Sequence, residues 1–272
     1  MNYMNPSPIK AAITAVGAYV PEDKLTNADL EKMVDTNDEW IVARTGIKER
    51  RILKDPSKGT SFMAIKAAED LIKKNNIDPT EIEAVIVATV TPDMHVAATA
   101  AYVASKIGAT HAFGYDLQAA CSGFLYGMSN ASNMIAGGRY RKVLLIGADK
   151  MSSIVDYTDR TTCIIFGDAA GAVLFEASSS GYGWEDEYFR SDGNGRLFLN
   201  IKAGGSLFPT SKESIEGGMH NLYQDGKTVF KYAVSEMTHA AEQIMQRNDI
   251  DANTITYLVP HQANKRIIDA VA

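Results

Sequence analysis

The sequence of 272 residues has little of several features that mark whole classes of protein. It has two cysteines, which argues against a disulfide framework and favours a reducing, cytoplasmic setting. No apolar run approaches the roughly 20 residues that a membrane-spanning helix needs. Residues 1–10 contain no apolar stretch of the signal-peptide kind. We therefore expect a cytoplasmic protein that neither spans a membrane nor is secreted.

An excess of positive charge is also missing. Lys and Arg number 27 against 33 Asp and Glu, and the net charge of −6 does not favour nucleic acid as a partner. No glycine-rich phosphate loop of the G-x-G-x-x-G or P-loop type opens a helix after a strand. The few cysteines and histidines show no zinc-ligand spacing. We therefore expect neither a metal nor a resident cofactor.

Strands and helices alternate along the chain. Short apolar, β-branched runs predict strands, and segments with apolar residues at helical spacing predict helices between them. The predicted strands are residues 9–16, 84–89, 113–117, 143–147, 163–166 and 172–176, and the predicted helices are residues 61–74, 97–106 and 122–136. This alternation predicts an α/β fold with a buried, largely parallel sheet covered by helices.

The chain also contains an internal repeat at an offset of 173 positions. The tripeptide AAE at residues 67–69 recurs at residues 240–242, and the dipeptide ID at 77–78 recurs at 250–251. A helix, a turn and a strand therefore recur in register, the second strand being residues 255–259. The second copy stops soon after its strand. We expect two duplicated halves, residues 1–177 and 178–272, of which the second is incomplete.

One cysteine occupies a junction between a predicted strand and a predicted helix. Unpaired N–H groups and the helix dipole at such a junction stabilise a thiolate, so we expect a lowered pKa for Cys121. Its small neighbours let a substrate carbonyl approach the backbone, where the Cys121 N–H can donate to an oxyanion. The alternative is a buried structural cysteine, but the junction favours a nucleophile. Cys163, within a predicted strand, is interpreted as core.

Two further features are candidates for binding and chemistry. His261 follows the predicted strand at residues 255–259, where α/β sheets place their sites. It is a candidate acid, base or hydrogen-bond donor, or alternatively a loop histidine without a role. Trp40 and Arg44 share one face of a predicted helix. They can stack a purine and hold a phosphate, or form a surface cation–π pair.

Five segments together resemble the thiolase superfamily and, within it, the β-ketoacyl-[acyl-carrier-protein] synthase III family. They are residues 38–51 (DEWIVARTGIKERR), 119–124 (AACSGF), 159–172 (DRTTCIIFGDAAGA), 225–234 (DGKTVFKYAV) and 260–268 (PHQANKRII), in the family's order. The resemblance implies a thiolase-like five-layer αβαβα fold built from two duplicated halves, in agreement with the repeat.

The resemblance implies a condensing enzyme that initiates fatty-acid synthesis. Cys121 would take an acyl group from a primer acyl-CoA, and malonyl-[acyl-carrier-protein] would then lose CO2 and attack that thioester. His261 matches the histidine that donates to the malonyl thioester carbonyl. Coenzyme A thioester is thus a substrate and not a cofactor.

The resemblance also implies binding roles and a homodimer that pairs through residues 113–118. The matching positions are Trp40, Arg44 and Arg160 for the CoA nucleotide, Phe166 and Asn264 for the pantetheine and acyl channel, Val96 for the partner subunit's acyl pocket, and Arg266 with Lys265 for the carrier protein.

The sequence departs from the family pattern after His261. The family's catalytic asparagine and a later oxyanion-hole glycine have no counterpart in these 272 residues. We therefore expect this chain to retain acylation of Cys121 and to be poor at condensation. Two alternatives stay open: another thiolase-fold starter synthase of the polyketide or alkylquinolone type, and a non-catalytic acyl-CoA-binding remnant.

Overall fold

A computed structural model describes residues 9–272. The strands are β1 (Ala11–Tyr19), β2 (Lys24–Thr26), β3 (Glu49–Arg51), β4 (Ala84–Ala88), β5 (Phe113–Leu117), β6 (Lys142–Lys150), β7 (Asp168–Ala177), β8 (Leu199–Ile201) and β9 (Leu222–Gln224). The α-helices are α1 (Asn27–Leu30), α2 (Asp38–Thr45), α3 (Thr60–Asn75), α4 (Thr99–Ile107), α5 (Gly123–Ala136), α6 (Lys212–Glu216), α7 (Gly226–Arg247) and α8 (Lys265–Val271).

The described residues divide into two compact units that interleave along the chain. The first unit comprises residues up to Glu22, Leu53–Lys150 and Asp168–Glu185. The second comprises Asp23–Ile52, Met151–Gly167 and Asp186–Ala272. These units are defined by contacts within the fold, and the division into sequential halves at residues 1–177 and 178–272 stays a prediction.

The first unit is built on a five-stranded sheet with the order β1-β7-β6-β4-β5. Strand β4 is parallel to both β5 and β6, whereas β7 is antiparallel to both β6 and β1. The prediction of a largely parallel sheet is therefore wrong for the β1 and β7 side. Parallel neighbours need a crossover, which α4 and α5 provide, but residues 151–167 between β6 and β7 contain no α-helix.

Both faces of this sheet are buried, and the strands alternate their side chains between two apolar clusters. Val85, Val87 and Leu144 belong to the cluster that contains α3 and α4. Ile86 and Leu145 belong to the cluster on the other face, which contains residues of α5. Each such side chain contributes roughly 1.5–3 kcal/mol by burial. This explains why the strands read as continuous apolar runs in the sequence.

The internal repeat is reproduced in local backbone geometry. After α3, Asn76 takes a left-handed φ of 51°, and after α7 the repeat-related Asp249 takes a φ of 50°. Two 3₁₀ turns follow at equivalent positions, Pro79–Glu81 and Ala252–Thr254, each begun by an aspartate side chain that accepts a backbone N–H. The helix and turn of the predicted repeat are therefore confirmed.

Two predicted strands do not form. Residues 255–259, whose repeat counterparts are residues 82–86, lie in irregular structure, and Tyr257 and Val259 are exposed. Among the described strands, none pairs with residues 255–259. Residues 163–166 lie in a turn region that precedes β7. The prediction that Cys163 is a core residue is nevertheless confirmed, since it is fully buried.

Two expectations concern location in the cell. The prediction from residues 1–10 concerns mostly residues that lie outside the described ones. Within residues 9–272, every helix is too short or too polar to cross a bilayer. The cytoplasmic setting stays a prediction.

Close contact between β1 and α3 gives a stability test. A Cβ on Gly17 would lie 2.4 Å from the Ala67 carbonyl oxygen and 2.5 Å from the Leu71 nitrogen. We expect Gly17→Ala to lower the free energy of unfolding by about 1–3 kcal/mol, because backbone cannot yield as a side chain can. The matched control is Gly171→Ala in β7, where no atom lies within 4 Å and a change within about 1 kcal/mol is expected. Equal effects in urea unfolding would contradict this account.

Candidate active site

Cys121 lies where the sequence predicts, between strand β5 and helix α5. The chain leaves β5 at Leu117 and passes through a 3₁₀ turn, Ala120–Ser122, before α5 begins at Gly123. Ala120 takes a left-handed φ of 45°, which costs an L-residue roughly 1–2 kcal/mol. Cys121 is exposed at this turn. The nucleophile candidate is thus accessible, and its backbone is held in a conformation that the surrounding structure must impose.

The electrostatics at Cys121 oppose ionisation. Desolvation by the surrounding protein raises the pKa of the thiol, although part of the residue remains open to solvent. The backbone N–H of Cys121 lowers its pKa, and the charge of Asp149 raises it. The prediction of a lowered pKa is therefore wrong in its net direction. The expected effect of the helix-end N–H is present, but desolvation outweighs it.

Asp149 is a charged residue that affects the pKa of Cys121 and is not among the candidates from sequence. Its Oδ1 accepts hydrogen bonds from the Val90 N–H (2.8 Å), the Thr89 hydroxyl (2.9 Å) and the Thr91 hydroxyl (3.1 Å). The Thr89 N–H donates in turn to the Leu117 carbonyl (3.1 Å) at the end of β5. Burial raises the pKa of Asp149. An aspartate at the carboxyl end of an apolar strand is the signal that could have identified it.

The loop between β4 and α4 presents Val96. This residue is fully exposed and takes a φ of 75°. The Ala97 N–H donates to the His95 carbonyl (3.0 Å), which makes Val96 the centre of a γ-turn, an unfavourable conformation for a β-branched residue. Asp116 fixes the end of the loop, because its carboxylate accepts the first N–H groups of α4 at 2.7 and 2.8 Å.

In the second unit, two arginine guanidinium groups lie over the Trp40 ring. The Arg44 guanidinium carbon is 4.7 Å from the Trp40 ring centroid, and that of Arg160 is 5.2 Å from it. Arg160 also donates to the Asp35 carbonyl oxygen (2.7 Å). The side chain of Asn37 caps α2 by accepting the Trp40 N–H (2.8 Å). The prediction that Trp40 and Arg44 share a helix face is confirmed, and the fold adds Arg160 to them.

A buried arginine supports this arrangement. Arg50 donates from two guanidinium nitrogens to the Ile164 carbonyl oxygen and from the third to Asn27 Oδ1. The Asn27 amide donates to Asp38 at the start of α2 (2.7 Å) and to the Ile47 carbonyl (2.9 Å). Burial lowers the pKa of Arg50 to about 10, so it stays charged at neutral pH. Arg50 therefore ties the Trp40 helix to the segment that carries Arg160 and Phe166.

Phe166 packs against the apolar cluster that surrounds Arg50. The buried members of this cluster are Leu30, Ile41, Val155, Cys163 and Ile164. Phe166 itself is partly buried. Its role in an acyl channel stays a prediction.

The PHQANKRII segment lies in the second unit and leads into α8. His261 is in irregular structure, and desolvation lowers its pKa, which favours the neutral imidazole. Asn264 caps α8 by accepting the Arg266 N–H (2.9 Å). Lys265 pairs with Asp269 at 2.6 Å, and the Arg266 guanidinium lies 5.2 Å from the Phe230 ring. Both basic side chains are exposed.

The predicted site residues are thus divided between the units. Cys121 and Val96 belong to the first, whereas Trp40, Arg44, Arg160, Phe166, His261, Asn264, Lys265 and Arg266 belong to the second. Among residues 9–272, no group of three or more His, Cys, Asp or Glu side chains could hold a metal ion.

Comparison with known proteins defines the class and then the family. The fold is thiolase-like: the structure matches that of the β-ketoacyl-[acyl-carrier-protein] synthase III from Thermus thermophilus with a TM-score of 0.86 and 41% sequence identity, covering 96% of this chain and 79% of that one. The family model for 3-oxoacyl-[acyl-carrier-protein] synthase III matches residues 115–193.

The curated relatives agree. The β-ketoacyl-[acyl-carrier-protein] synthase III of Phocaeicola vulgatus is 53% identical over 264 residues, which cover 97% of this chain and 79% of the relative. That of Chlorobium chlorochromatii is 55% identical over 266 residues, which cover 97% and 81%. The chain belongs to the β-ketoacyl-[acyl-carrier-protein] synthase III family, and the predicted fold class is confirmed.

The role of Arg50 can be tested by removing its donors. We expect Arg50→Met to lower the free energy of unfolding by about 2–4 kcal/mol, because the Ile164 carbonyl and the Asn27 amide oxygen lose charged hydrogen bonds while buried. The control is Arg51→Met on the same strand, whose half-exposed side chain lies 3.3 Å from Glu49 and should change stability by at most about 1 kcal/mol. A similar loss in both variants, measured by urea unfolding, would refute a special role for Arg50.

Proposed function

We propose that this protein works in the decarboxylative Claisen condensation of a primer acyl-CoA with malonyl-[acyl-carrier-protein]; the expectation that these 272 residues acylate Cys121 well and condense poorly stays a prediction. Cys121 accepts the acyl group as a thioester, and the reaction initiates fatty-acid biosynthesis. The observation that carries the proposal is the exposed Cys121 at the start of α5, in a chain 50–55% identical to several curated synthases of this family. Relatives of this similarity favour the synthase over a polyketide-type starter enzyme.

The thiol at Cys121 suits acyl transfer between thioesters. When Cys121 attacks the acyl-CoA carbonyl, the new S–C bond forms as the CoA sulfur leaves, and the thiol proton balances the departing CoA thiolate. The Cys121 N–H, which already lowers the pKa of its own sulfur, is a donor at the N-terminal end of α5 for the negative oxygen that develops. No resident cofactor is required for this step.

His261 acts in the second half of the reaction. Its lowered pKa keeps the imidazole neutral at cytoplasmic pH, and a neutral imidazole retains one N–H that can donate. Donation to the malonyl thioester carbonyl stabilises the enolate left when CO2 departs. A protonated, cationic ring is not needed for this role.

The coenzyme A nucleotide binds at Trp40. Its two neighbouring guanidinium groups, of Arg44 and Arg160, offer positive charge for phosphate beside a flat aromatic surface for the adenine. Phe166 and Asn264 follow along the pantetheine and acyl channel, and Lys265 and Arg266 contact the carrier protein. Both basic residues are exposed, as contact with an acidic partner requires.

We also propose that the protein forms a homodimer through β5. Within the described sheet, β5 pairs with β4 on one side and is an edge strand on the other. Phe113 on this strand is 44% exposed. An edge strand with exposed apolar residues is a template for pairing with a second copy. Val96 of one subunit would then reach the acyl pocket of the other.

The acylation step is tested by mass spectrometry. Incubation with acetyl-CoA should add one acetyl group to the protein, on the peptide that contains Cys121, and Cys121→Ala should abolish the addition. Cys163→Ala is the matched control and should be acetylated normally, because Cys163 is buried and desolvation raises its thiol pKa. Acetyl groups found on Cys163 would overturn the assignment.

The dimer is tested by sedimentation velocity at micromolar protein, where we expect a species of twice the chain mass. Phe113→Lys places a charge on the β5 edge and should shift the population towards monomer. The control is Tyr182→Lys, a more exposed aromatic residue of the loop that follows β7, at the opposite edge of the sheet, and it should leave the dimer intact. A wild-type protein that sediments wholly as monomer would disprove the pairing.

A further inference from the structure

One buried side-chain amide holds both ends of the helix that carries Trp40 and Arg44. Asn27 is 2% exposed, and its Nδ2 atom donates to Asp38 Oδ1 (2.7 Å) and to the Ile47 carbonyl oxygen (2.9 Å). Asp38 is the first residue of α2, and Ile47 follows the glycine that caps its C-terminus. Because both bonds come from one nitrogen, the two ends of α2 are anchored to a single point of the fold.

Helix α1 contacts the same two ends of α2 through other groups. The Asp38 N–H donates to Glu31 Oε1 (2.7 Å), at the residue that caps the C-terminus of α1. The Asn27 N–H donates to the Lys48 carbonyl oxygen (3.3 Å), next to Ile47. The position of α2 is therefore set by its hydrogen bonds to α1.

The oxygen of the same amide connects α2 to the segment that carries Arg160. Asn27 Oδ1 accepts a hydrogen bond from Arg50 Nη1, and Arg50 Nε donates to the Ile164 carbonyl oxygen (2.9 Å). Ile164 is buried and lies four residues after Arg160, in the same turn region. The path from α2 to this segment thus runs through two buried side chains, Asn27 and Arg50, and each step is a hydrogen bond.

The nucleotide site at Trp40 needs this alignment, because its parts come from both segments. Arg44 lies one turn after Trp40 on the same helix and moves with it, whereas Arg160 belongs to the other segment. The Arg160 guanidinium carbon is 5.2 Å from the Trp40 ring centroid, so a shift of α2 changes the space left for a purine and a phosphate. The direct bond from Arg160 to the Asp35 carbonyl oxygen is exposed to water and competes with it.

We propose that Asn27 is a positioning residue for the coenzyme A nucleotide: its amide aligns α2 with the Arg160 segment and thereby sets the affinity for acyl-CoA. The proposal rests on the proposed function, in which the nucleotide binds at Trp40. Asn27 is too deeply buried to touch a ligand, so it acts through the residues of α2. An amide suits this role because it offers an acceptor to Arg50 and two N–H donors to α2, whereas a carboxylate can accept but cannot donate.

Binding of adenosine 3′,5′-bisphosphate tests this proposal. The probe carries the purine, ribose and 3′-phosphate of coenzyme A and lacks the pantetheine. Its binding is measured by the fluorescence of Trp40 in a Trp184→Phe background. In Asp38→Ala, the start of α2 loses its bond to the Asn27 amide. We expect about tenfold weaker binding, because displacement of binding groups by a fraction of an ångström has effects of this order.

Glu39→Ala is the matched control. It removes the neighbouring carboxylate of the same first turn of α2 and leaves both bonds of the Asn27 amide in place. Loss of a negative charge by itself favours an anionic probe, so electrostatics alone predicts equal or tighter binding by both variants. The proposal predicts weaker binding by Asp38→Ala alone. Equal or tighter binding by Asp38→Ala, or an equal loss in Glu39→Ala, would overturn it.

A second variant acts at the amide itself. Asn27→Asp keeps the acceptor for Arg50 but turns an oxygen towards Asp38, and we expect a larger loss of affinity. Adding Asp38→Asn should restore part of it, because the donor then lies on the other side of the same bond; no recovery would contradict the proposal. The control is Asn248→Asp, whose amide also donates to a carboxylate, that of Asp186 (2.6 Å), and to a backbone carbonyl. Its affinity should equal that of the wild type. If Asn27→Asp does not fold, Asp38→Ala decides, since Asp38 is exposed.

A thioester without a nucleotide separates positioning from a general structural defect. Acetylation of Cys121 by acetyl-pantetheine should proceed at the wild-type rate in Asp38→Ala, whereas acetylation by low concentrations of acetyl-CoA should be slower. An equal loss with both thioesters would overturn the proposal. If the wild-type protein does not bind the bisphosphate, the nucleotide site at Trp40 is refuted and this proposal fails with it. If the wild type and Asp38→Ala bind it equally, Asn27 has no positioning role and the nucleotide site stands.

Discussion

The parallel pairing of β4 with two neighbours is the constraint on which the first unit depends. Strand β4 is buried on both faces and pairs in parallel with β5 and β6. Parallel strands must be joined by crossover connections, and these contain α4 and α5. The carboxyl ends of β4, β5 and β6 consequently meet at one edge. That meeting places the end of β5 at Leu117, the threonines after β4 and Asp149 within one hydrogen-bonded region, although they are far apart in sequence.

The second unit depends on a different interaction, the burial of Arg50. A guanidinium among apolar side chains must satisfy its donors within the protein, since an unmet buried charge is very costly. It does so with the Ile164 carbonyl and with Asn27, and Asn27 passes the connection to Asp38. The helix with Trp40 and the segment with Arg160 are held together in this way. The hydrogen bonds of Arg50 and Asn27 therefore position the two segments whose arginines stack on Trp40.

Desolvation by nearby protein atoms shifts the pKa values of the candidate catalytic groups, although both Cys121 and His261 keep solvent-exposed surface. Desolvation raises the pKa of Cys121 and lowers that of His261, so both groups tend towards their neutral forms. Neutral groups suit a reaction between thioesters, in which the negative charge appears on substrate oxygen and not on the enzyme. The strained turns at Ala120 and Val96 lie in the same unit as Cys121 and show where the fold overrides local preference.

The sequence by itself determined most of the local structure. Apolar periodicity located α3, α4, α5 and the central strands, because these segments bury their faces wherever the fold places them. Residue spacing located the strand-to-helix junction at Cys121 and the shared helix face of Trp40 and Arg44. The repeat predicted the turns after α3 and α7. Each of these features depends on contacts among residues close in the chain.

Tertiary structure alone decided the rest. Residues 255–259 have the composition of a strand yet remain unpaired, because strand formation needs a partner that local composition cannot supply. The antiparallel direction of β7, the placement of Arg160 on Trp40 and the effect of Asp149 on the pKa of Cys121 all join residues distant in sequence. The pKa of the Cys121 thiol depends on groups distant in sequence, and desolvation has the largest effect on it. The residues that flank Cys121 in sequence therefore do not determine whether its pKa is raised or lowered.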